Sequence, residues 1–254
     1  MGMLEGKVCL ITGAASNPGI GHSIAHLFAD HGATLVLTDI DESGLEKTAA
    51  EVSAKGVEVA HWHQNVTDEG QWIETMGAIE QRFGRLDVCV NNAGIAILKA
   101  LEEMTLADYN RQMDVNMTSV FLGTQKAVVL MRKHRTRGSV INMSSLVGLV
   151  GVPNVSAYGA SKGGVRLFSK TVALETARDG IRCNTIHPGL IDTNIQQASV
   201  KDNPEVYEQL QQAVPMGYMG KPIEVARAAL FLASELSDYI TGSEIHVDGG
   251  MAAQ

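Results

Sequence analysis

An apolar run from Lys7 to Thr12 gives way at once to Gly13-Ala-Ala-Ser-Asn-Pro-Gly19-Ile-Gly21, and a stretch with helical periodicity then continues through His31. The order strand, glycine-rich turn, helix constrains this chain more than any other feature in its sequence. Glycine admits positive φ and close backbone approach. A helix beginning at such a turn presents unpaired amides carrying partial positive charge, which favour a phosphate. On its own a glycine-rich turn is common, but here the next apolar run, Ala33 to Asp39, ends in an acid eighteen positions after Gly21. Strand, turn, helix, strand and acid together fit a dinucleotide site, with the carboxylate holding the adenosine ribose hydroxyls.

Further strand-like runs follow at Val57 to His61, Leu86 to Asn91, Gly138 to Met143, Ile181 to His187 and Glu244 to Asp248, separated by helical stretches. About seven strands alternating with helices predict an α/β fold, a doubly wound parallel sheet covered on both faces. No repeat, low-complexity stretch or linker interrupts it, so one domain is expected over residues 1–254. The net charge of −8 argues against nucleic acid and anionic membrane surfaces as partners. Met1 to Gly6 is too short and polar for a secretory signal, so a cytoplasmic location is expected. Cys9, Cys89 and Cys183 lie inside strand candidates and read as buried thiols.

The chemistry-bearing pair is Tyr158 and Lys162 in Ser156-Ala-Tyr-Gly-Ala-Ser-Lys162. On a helix, positions i and i+4 share a face, so phenol and ammonium meet. The cation favours the phenolate and should pull the phenol down from its usual pKa of about 10. Such a phenol takes a proton from an alcohol or returns one to a ketone. One aromatic core contact beside a solvated lysine would look the same, so the company of the pair decides.

That company is extensive. The turn from Thr12 to Gly21, Asn91-Asn-Ala-Gly94, Asn116 within Asp114-Val-Asn-Met117, Ser145, Tyr158-x-x-x-Lys162, Pro188-Gly189 with Thr193, and Val247-Asp-Gly-Gly250 occur in order. From Lys7 to Gly250 the chain resembles the classical short-chain dehydrogenase/reductase family, in particular bacterial NAD-dependent secondary-alcohol and hydroxysteroid dehydrogenases. The resemblance implies a Rossmann-like fold and a catalytic set of Asn116, Ser145, Tyr158 and Lys162. Asn116 would hold a water linking the lysine to solvent, and Lys162 would also hold the nicotinamide ribose. Ser145 would donate to the substrate oxygen; Ser144 competes for that role, but its spacing to Tyr158 does not match the family. The implied cofactor contacts are Gly13, Asn17, Gly19, Ile20 and Gly21 in the turn, Asp39 and Ile40 after the second strand, and Asn65 and Val66 after the third. Asn92, Ala93 and Gly94 follow the fourth strand, Tyr158 and Lys162 also face the cofactor, and Pro188, Gly189, Ile191 and Thr193 shape the carboxamide pocket. Residues from about 192 to 219 would close over the substrate. Relatives usually form homotetramers, which would make Val120 to Met131 available for pairing. Rival readings are a 3-oxoacyl-carrier-protein reductase and a regulatory protein that binds NAD without turnover. An enoyl reductase fits less well, because its lysine would fall at Val165.

Two departures stand out. Five residues separate Gly13 from Gly19 where the family has three, so the turn should bulge outward while Gly19 and Gly21 keep their places. Asn65 stands where aspartate is usual, and its amide oxygen should still accept from the adenine amine. Asp39 would repel a 2′-phosphate, and neither Asn17 nor Ile40 offers a cation, which predicts NAD over NADP. Ile195, Val200, Val206, Tyr207, Leu210 and Met216, with Leu146, Val147 and Leu190, suggest a cyclic, aromatic or steroid-like alcohol or ketone. His22 with His26, and His61 with His63, have spacings that metal sites use, but no signature completes them and no metal is expected. Arg132 to Arg137 reads as cations at a helix end. His187, just before Pro188, is a candidate for lining the site.

Overall fold

The computed structural model describes residues 2–194 and 204–253. Strands β1 (Val8–Thr12), β2 (Thr34–Asp39), β3 (Val59–His63), β4 (Val88–Asn91), β5 (Ser139–Met143), β6 (Arg182–Pro188) and β7 (Glu244–Val247) form one parallel sheet in the order β3-β2-β1-β4-β5-β6-β7. Every residue of β1, β4 and β5 is buried, which explains why these strands read as continuous runs and not as alternating patterns. Alternation appears instead in which face each side chain joins. Cys9, Ile11, Leu35 and Leu37 pack on one side of the sheet, and Val8, Leu10, Val36 and Cys89 on the other.

Helices α1 (Ile20–Asp30), α2 (Glu42–Ser53) and a later helix, Pro222–Ala233, cover the first side. The second side is covered by α3 (Glu69–Phe83) and by two long helices, Ser119–Lys133 and Ser156–Thr176. In chain order these are α4 (Leu106–Met113), α5 (Ser119–Lys133), α6 (Ser156–Thr176), α7 (Pro204–Gln212) and α8 (Pro222–Ala233). A π-helical turn, Asp114–Thr118, joins α4 to α5. The chain winds outward from β1 to β3, then returns to β4 on the other flank of β1. The strand order reverses there, and doubly wound sheets open a ligand crevice at that point, beyond the carboxyl ends.

Two sequence expectations change, and part of a third lies outside the described residues. The third strand starts at Val59, with Leu35 opposite it, and extends to His63. The stretch Val120 to Met131 is mostly used within the chain: Val120, Leu122, Ala127, Val128, Leu130 and Met131 are buried, leaving Phe121 and Val129 exposed. Of the segment expected to cover the substrate, Ile195 and Val200 lie outside the described residues, as do the side chains of Val206 and Tyr207. The cations after residue 131 do sit at a helix end, where Arg132 pairs with Asp179 at 2.8 Å and Lys133 with Glu80 at 2.6 Å. Among the described residues, no helix is long and apolar enough to cross a membrane. The three cysteines are buried and free.

Candidate functional site

The expected cofactor residues gather at the carboxyl ends of the strands. Gly13 leaves β1 with φ +69°, and its amide donates to Thr38 O at 2.8 Å. A side chain at Gly21 would strike the Gly13 carbonyl oxygen, so the two glycines hold turn and helix in direct contact. Helix α1 then begins with neither a side-chain cap nor an acid in its first turn. Its amides are therefore left to an incoming anion, and the turn fits a pyrophosphate. Asp39 ends β2 with its carboxylate fixed, Oδ2 accepting from Ala15 N at 2.9 Å and Oδ1 from Asp41 N at 3.0 Å. Ile40 beside it is 65% exposed.

The lengthened turn does bulge, and it bulges toward a partner. Asn194 N donates to Pro18 O at 3.0 Å, while its side chain donates to Asn17 O at 2.9 Å and Ser16 Oγ at 3.2 Å. The inserted residues thus dock on the start of the segment after β6. The sequence held no signal for this, because the partners lie more than 170 residues apart. Asn92 serves the same turn from the other side, donating to Thr12 O and Gly13 O, each at 3.0 Å.

Asn65 closes a local turn. Its amide oxygen accepts from Thr67 N at 3.1 Å and Thr67 Oγ1 at 2.9 Å. A short side chain two residues before an amide closes this local turn readily. Val66 is buried, with its carbonyl held by Trp72 Nε1 at 2.8 Å.

The four expected catalytic residues do converge. Ser145 follows β5, and its side chain stands close enough to the phenol of Tyr158, in the first turn of α6, to favour the phenolate. Ser144 turns away, donating to Lys162 O at 2.9 Å. Lys162 is 4% exposed, its Nζ donating to Met143 O at 2.8 Å and lying 5.8 Å from the centre of the Tyr158 ring. Asn116 sits in the π turn, accepting from Ile95 N at 2.9 Å and donating to Ile95 O at 2.9 Å and Ser161 Oγ at 3.3 Å. It locks the chain after Gly94 against α6. A side chain at Gly94 would come within 3.2 Å of Asn116 Oδ1 and 3.6 Å of Lys162 Nζ, so this glycine keeps open the space before the lysine.

The electrostatics differ from the sequence expectation. Burial, not the lysine, dominates at Tyr158 and raises its pKa, with the Ser145 side chain working the other way. Burial also brings Lys162 down to about 8. The ammonium is directed at the Met143 carbonyl and not at the phenol, and burial outweighs the pull that the i, i+4 spacing suggested. A lysine lowered from 10.5 to about 8 penalises the charged fold by up to about 3 kcal/mol, at 1.36 kcal/mol per pH unit. The penalty is full below pH 8 and disappears as pH rises toward 10.5. Lys162→Met should therefore stabilise the cofactor-free protein at pH 7 by about 1–2 kcal/mol once the lost Met143 hydrogen bond is deducted, and so raise its Tm. The gain should shrink by pH 10. Calorimetry across that range checks it, and a lower Tm at pH 7 would refute it.

Other residues support the site without having been anticipated. Gln112, fully buried, accepts from Ile97 N at 2.7 Å and donates to Ile95 O at 2.6 Å. Beneath the site, Asn142 bridges neighbouring elements, accepting from Asn91 at 2.8 Å and donating to Ser169 Oγ at 2.9 Å. For Asn142 the available signal was a polar residue inside the apolar run Val140 to Met143, whereas Gln112, between Arg111 and Asp114, carried none. His187 does not line the site. It is fully buried, with Nδ1 at 3.0 Å from Ser145 O and Nε2 at 2.9 Å from Thr185 Oγ1, and so it braces the serine from behind. Pro188 ends β6, Gly189 N donates to Val247 O at 3.0 Å, and Ile191 is buried in a bridge to Gly220, with Thr193 following it.

A phosphate-ready turn at the switch point, with a serine, tyrosine and lysine beside it, marks an oxidoreductase that acts on alcohols or ketones with a nicotinamide dinucleotide. Comparison with known proteins agrees. The profile of the family described as Enoyl-(Acyl carrier protein) reductase matches residues 13–252. Cyclopentanol dehydrogenase of Comamonas testosteroni is 40% identical over 253 residues, covering 100% of both chains. A 3-oxoacyl-[acyl-carrier-protein] reductase of Thermotoga maritima is 43% identical over 248 residues, 98% of each chain. The crystal structure of levodione reductase superposes with a TM-score of 0.93 at 36% identity, covering 98% of this chain and 99% of that one. The chain belongs to the short-chain dehydrogenase/reductase family. An NADP-dependent (R)-specific alcohol dehydrogenase of Lentilactobacillus kefiri is 39% identical over 256 residues, covering 99% of this chain and 98% of that one.

Proposed function

We propose that the protein is an NAD-dependent dehydrogenase that interconverts a cyclic secondary alcohol and its ketone. The observation that carries this reading is the Ser145–Tyr158 pair standing beside buried Lys162, whose Nζ lies 5.8 Å from the centre of the Tyr158 ring. When bound, the cofactor supplies or accepts the hydride. Tyr158 Oη takes the proton of the alcohol in oxidation and returns it in reduction. Ser145 donates to the substrate oxygen as negative charge grows there. Lys162 holds the nicotinamide ribose and adds positive charge next to the phenol, while Asn116 fixes the segment in front of it and serves the relay of protons to solvent. Because burial keeps Tyr158 protonated at neutral pH, ketone reduction should run well near pH 7 and alcohol oxidation should accelerate as pH rises.

Gly13, Asn17, Gly19, Ile20 and Gly21 would hold the pyrophosphate, Asp39 and Ile40 the adenosine ribose, and Val66 with Asn65 the adenine edge. Asn92, Ala93 and Gly94, then Pro188, Gly189, Ile191 and Thr193, would flank the nicotinamide half. The cyclic substrate is supported by apolar Leu146 and Val147 directly after Ser145, by Leu190 just after Pro188 and Gly189, and by relatives whose names specify cyclopentanol and levodione. A screen of cyclic, aryl and steroid alcohols with NAD⁺ at alkaline pH, read as NADH absorbance, tests it. Exclusive turnover of hydroxyacyl thioesters would overturn it in favour of the second reading, a 3-oxoacyl-carrier-protein reductase, which the relative from Thermotoga maritima supports.

The assembly we infer is a cytoplasmic homotetramer joined through α5 and α6, whose Phe121, Val129, Leu167 and Leu174 are exposed. A monomer in sedimentation at micromolar concentration would contradict it.

A further inference from the structure

The sequence places His22 and His26 one turn apart on α1 but shows no third ligand. Packing supplies one. Helix α2 lies against α1 and brings Glu51 to both rings. His22 Nε2 stands 2.9 Å and His26 Nε2 3.0 Å from the same carboxylate oxygen, Glu51 Oε2. The two rings lie side by side, their centroids 4.4 Å apart.

We propose that His22, His26 and Glu51 form a binding site for a divalent transition-metal ion of the zinc class, which clamps α1 to α2. The three ligand atoms already lie within 4.8 Å of one another. Tetrahedral zinc with bonds of about 2.1 Å needs its ligand atoms about 3.4 Å apart, so small side-chain rotations admit the ion. Two imidazoles and one carboxylate suit zinc, copper or nickel, whereas magnesium and calcium prefer oxygen ligands alone. The His22 and His26 side chains are only 13% and 28% exposed, so the ion would be partly shielded from water. Glu51, at 47%, leaves an open side for a bound water. The nearby Lys55 cation is compensated, since its Nζ pairs with Asp30 at 2.7 Å. Burial and the Lys55 charge both lower the His26 pKa, which keeps that ring available as a neutral ligand, while the Glu51 carboxylate is stabilised by its two histidines.

The position gives the clamp a consequence. His22 directly follows Gly21, and α2 begins just after Asp39, Ile40 and Asp41. An ion between the helices ties together the two segments that face the adenosine half of the dinucleotide site.

The test uses chelator-treated protein and the metal alone. Equilibrium dialysis against Zn²⁺ should load one ion per chain. Both His26→Gln and Glu51→Gln should weaken that binding by about tenfold or more, since loss of a ligand costs at least as much as loss of a residue that orients one. Zn²⁺ should raise the Tm of the wild type and not that of either variant. Co²⁺ should give a visible absorption band that disappears in both. Failure of the wild type to take up stoichiometric Zn²⁺ overturns the proposal. So does wild-type affinity in both variants, which would place the ion elsewhere, for example on Cys9, Cys89 or Cys183 exposed by partial unfolding.

Discussion

Tyr158→Phe is expected to lower kcat/KM by about 10³- to 10⁴-fold in both directions, the upper part of the range for removing a general acid or base, with little change in NADH affinity. The substitution deletes one oxygen and leaves the ring that packs at the start of α6. Lys162 keeps its place, because its ammonium is anchored on Met143 O and not on the phenol. Ser145 also stays in position, its backbone carbonyl held by His187 and its Oγ accepting from Val147 N at 3.4 Å. Fluorescence titration with NADH should therefore give a dissociation constant within about twofold of wild type, a change of under 0.5 kcal/mol. Steady-state kinetics completes the test. Activity within tenfold of wild type would move the proton path away from Tyr158. A wild type with no turnover on any alcohol, ketone or thioester, yet with intact NADH binding, would favour the regulatory reading.

Much of this site was readable in advance because it depends on short-range spacing and on strand ends. Tyr158, Lys162 and Ser145 needed only a helix face and the end of an apolar run, and the sheet supplies both. Asp39 needed only the second strand to stop where its apolar run stopped. What escaped reading depends on contacts distant in sequence. Asn194 meets the lengthened turn only because the segment after β6 crosses the carboxyl ends of the strands, past β5 and β4, to the turn after β1. Glu51 reaches His22 and His26 only because α2 packs on α1. The direction of the Lys162 ammonium was hidden for another reason: the i, i+4 spacing shows which face a side chain shares but not which acceptor it finds. A carbonyl at the end of β5 was closer than the phenol, and burial then governed both pKa values.

The second large effect concerns cofactor choice. Wild-type protein should favour NAD over NADP by about 10²-fold in kcat/KM, and Asp39→Asn should remove most of that preference. The Asp39 carboxylate cannot swing away from an added phosphate, because Ala15 N and Asp41 N hold its two oxygens. Two unit charges about 4 Å apart repel by about 4 kcal/mol at the effective dielectric near a protein surface. Solvent screening and the half-exposed position reduce this to nearer 3 kcal/mol, which corresponds to the expected ratio. Asparagine is the informative replacement, since its carbonyl can still accept from Ala15 N and the fold of the turn survives while the charge goes. Adding Ile40→Arg should then carry the preference past parity toward NADP, because residue 40 is 65% exposed and has room for a guanidinium facing the phosphate. Kinetics with both cofactors on one substrate decides the matter. Equal or better use of NADP by the wild type would mean that Asp39 does not face the ribose. A variant that loses NAD without gaining NADP would mean that the carboxylate shapes the turn and does not select the cofactor by charge.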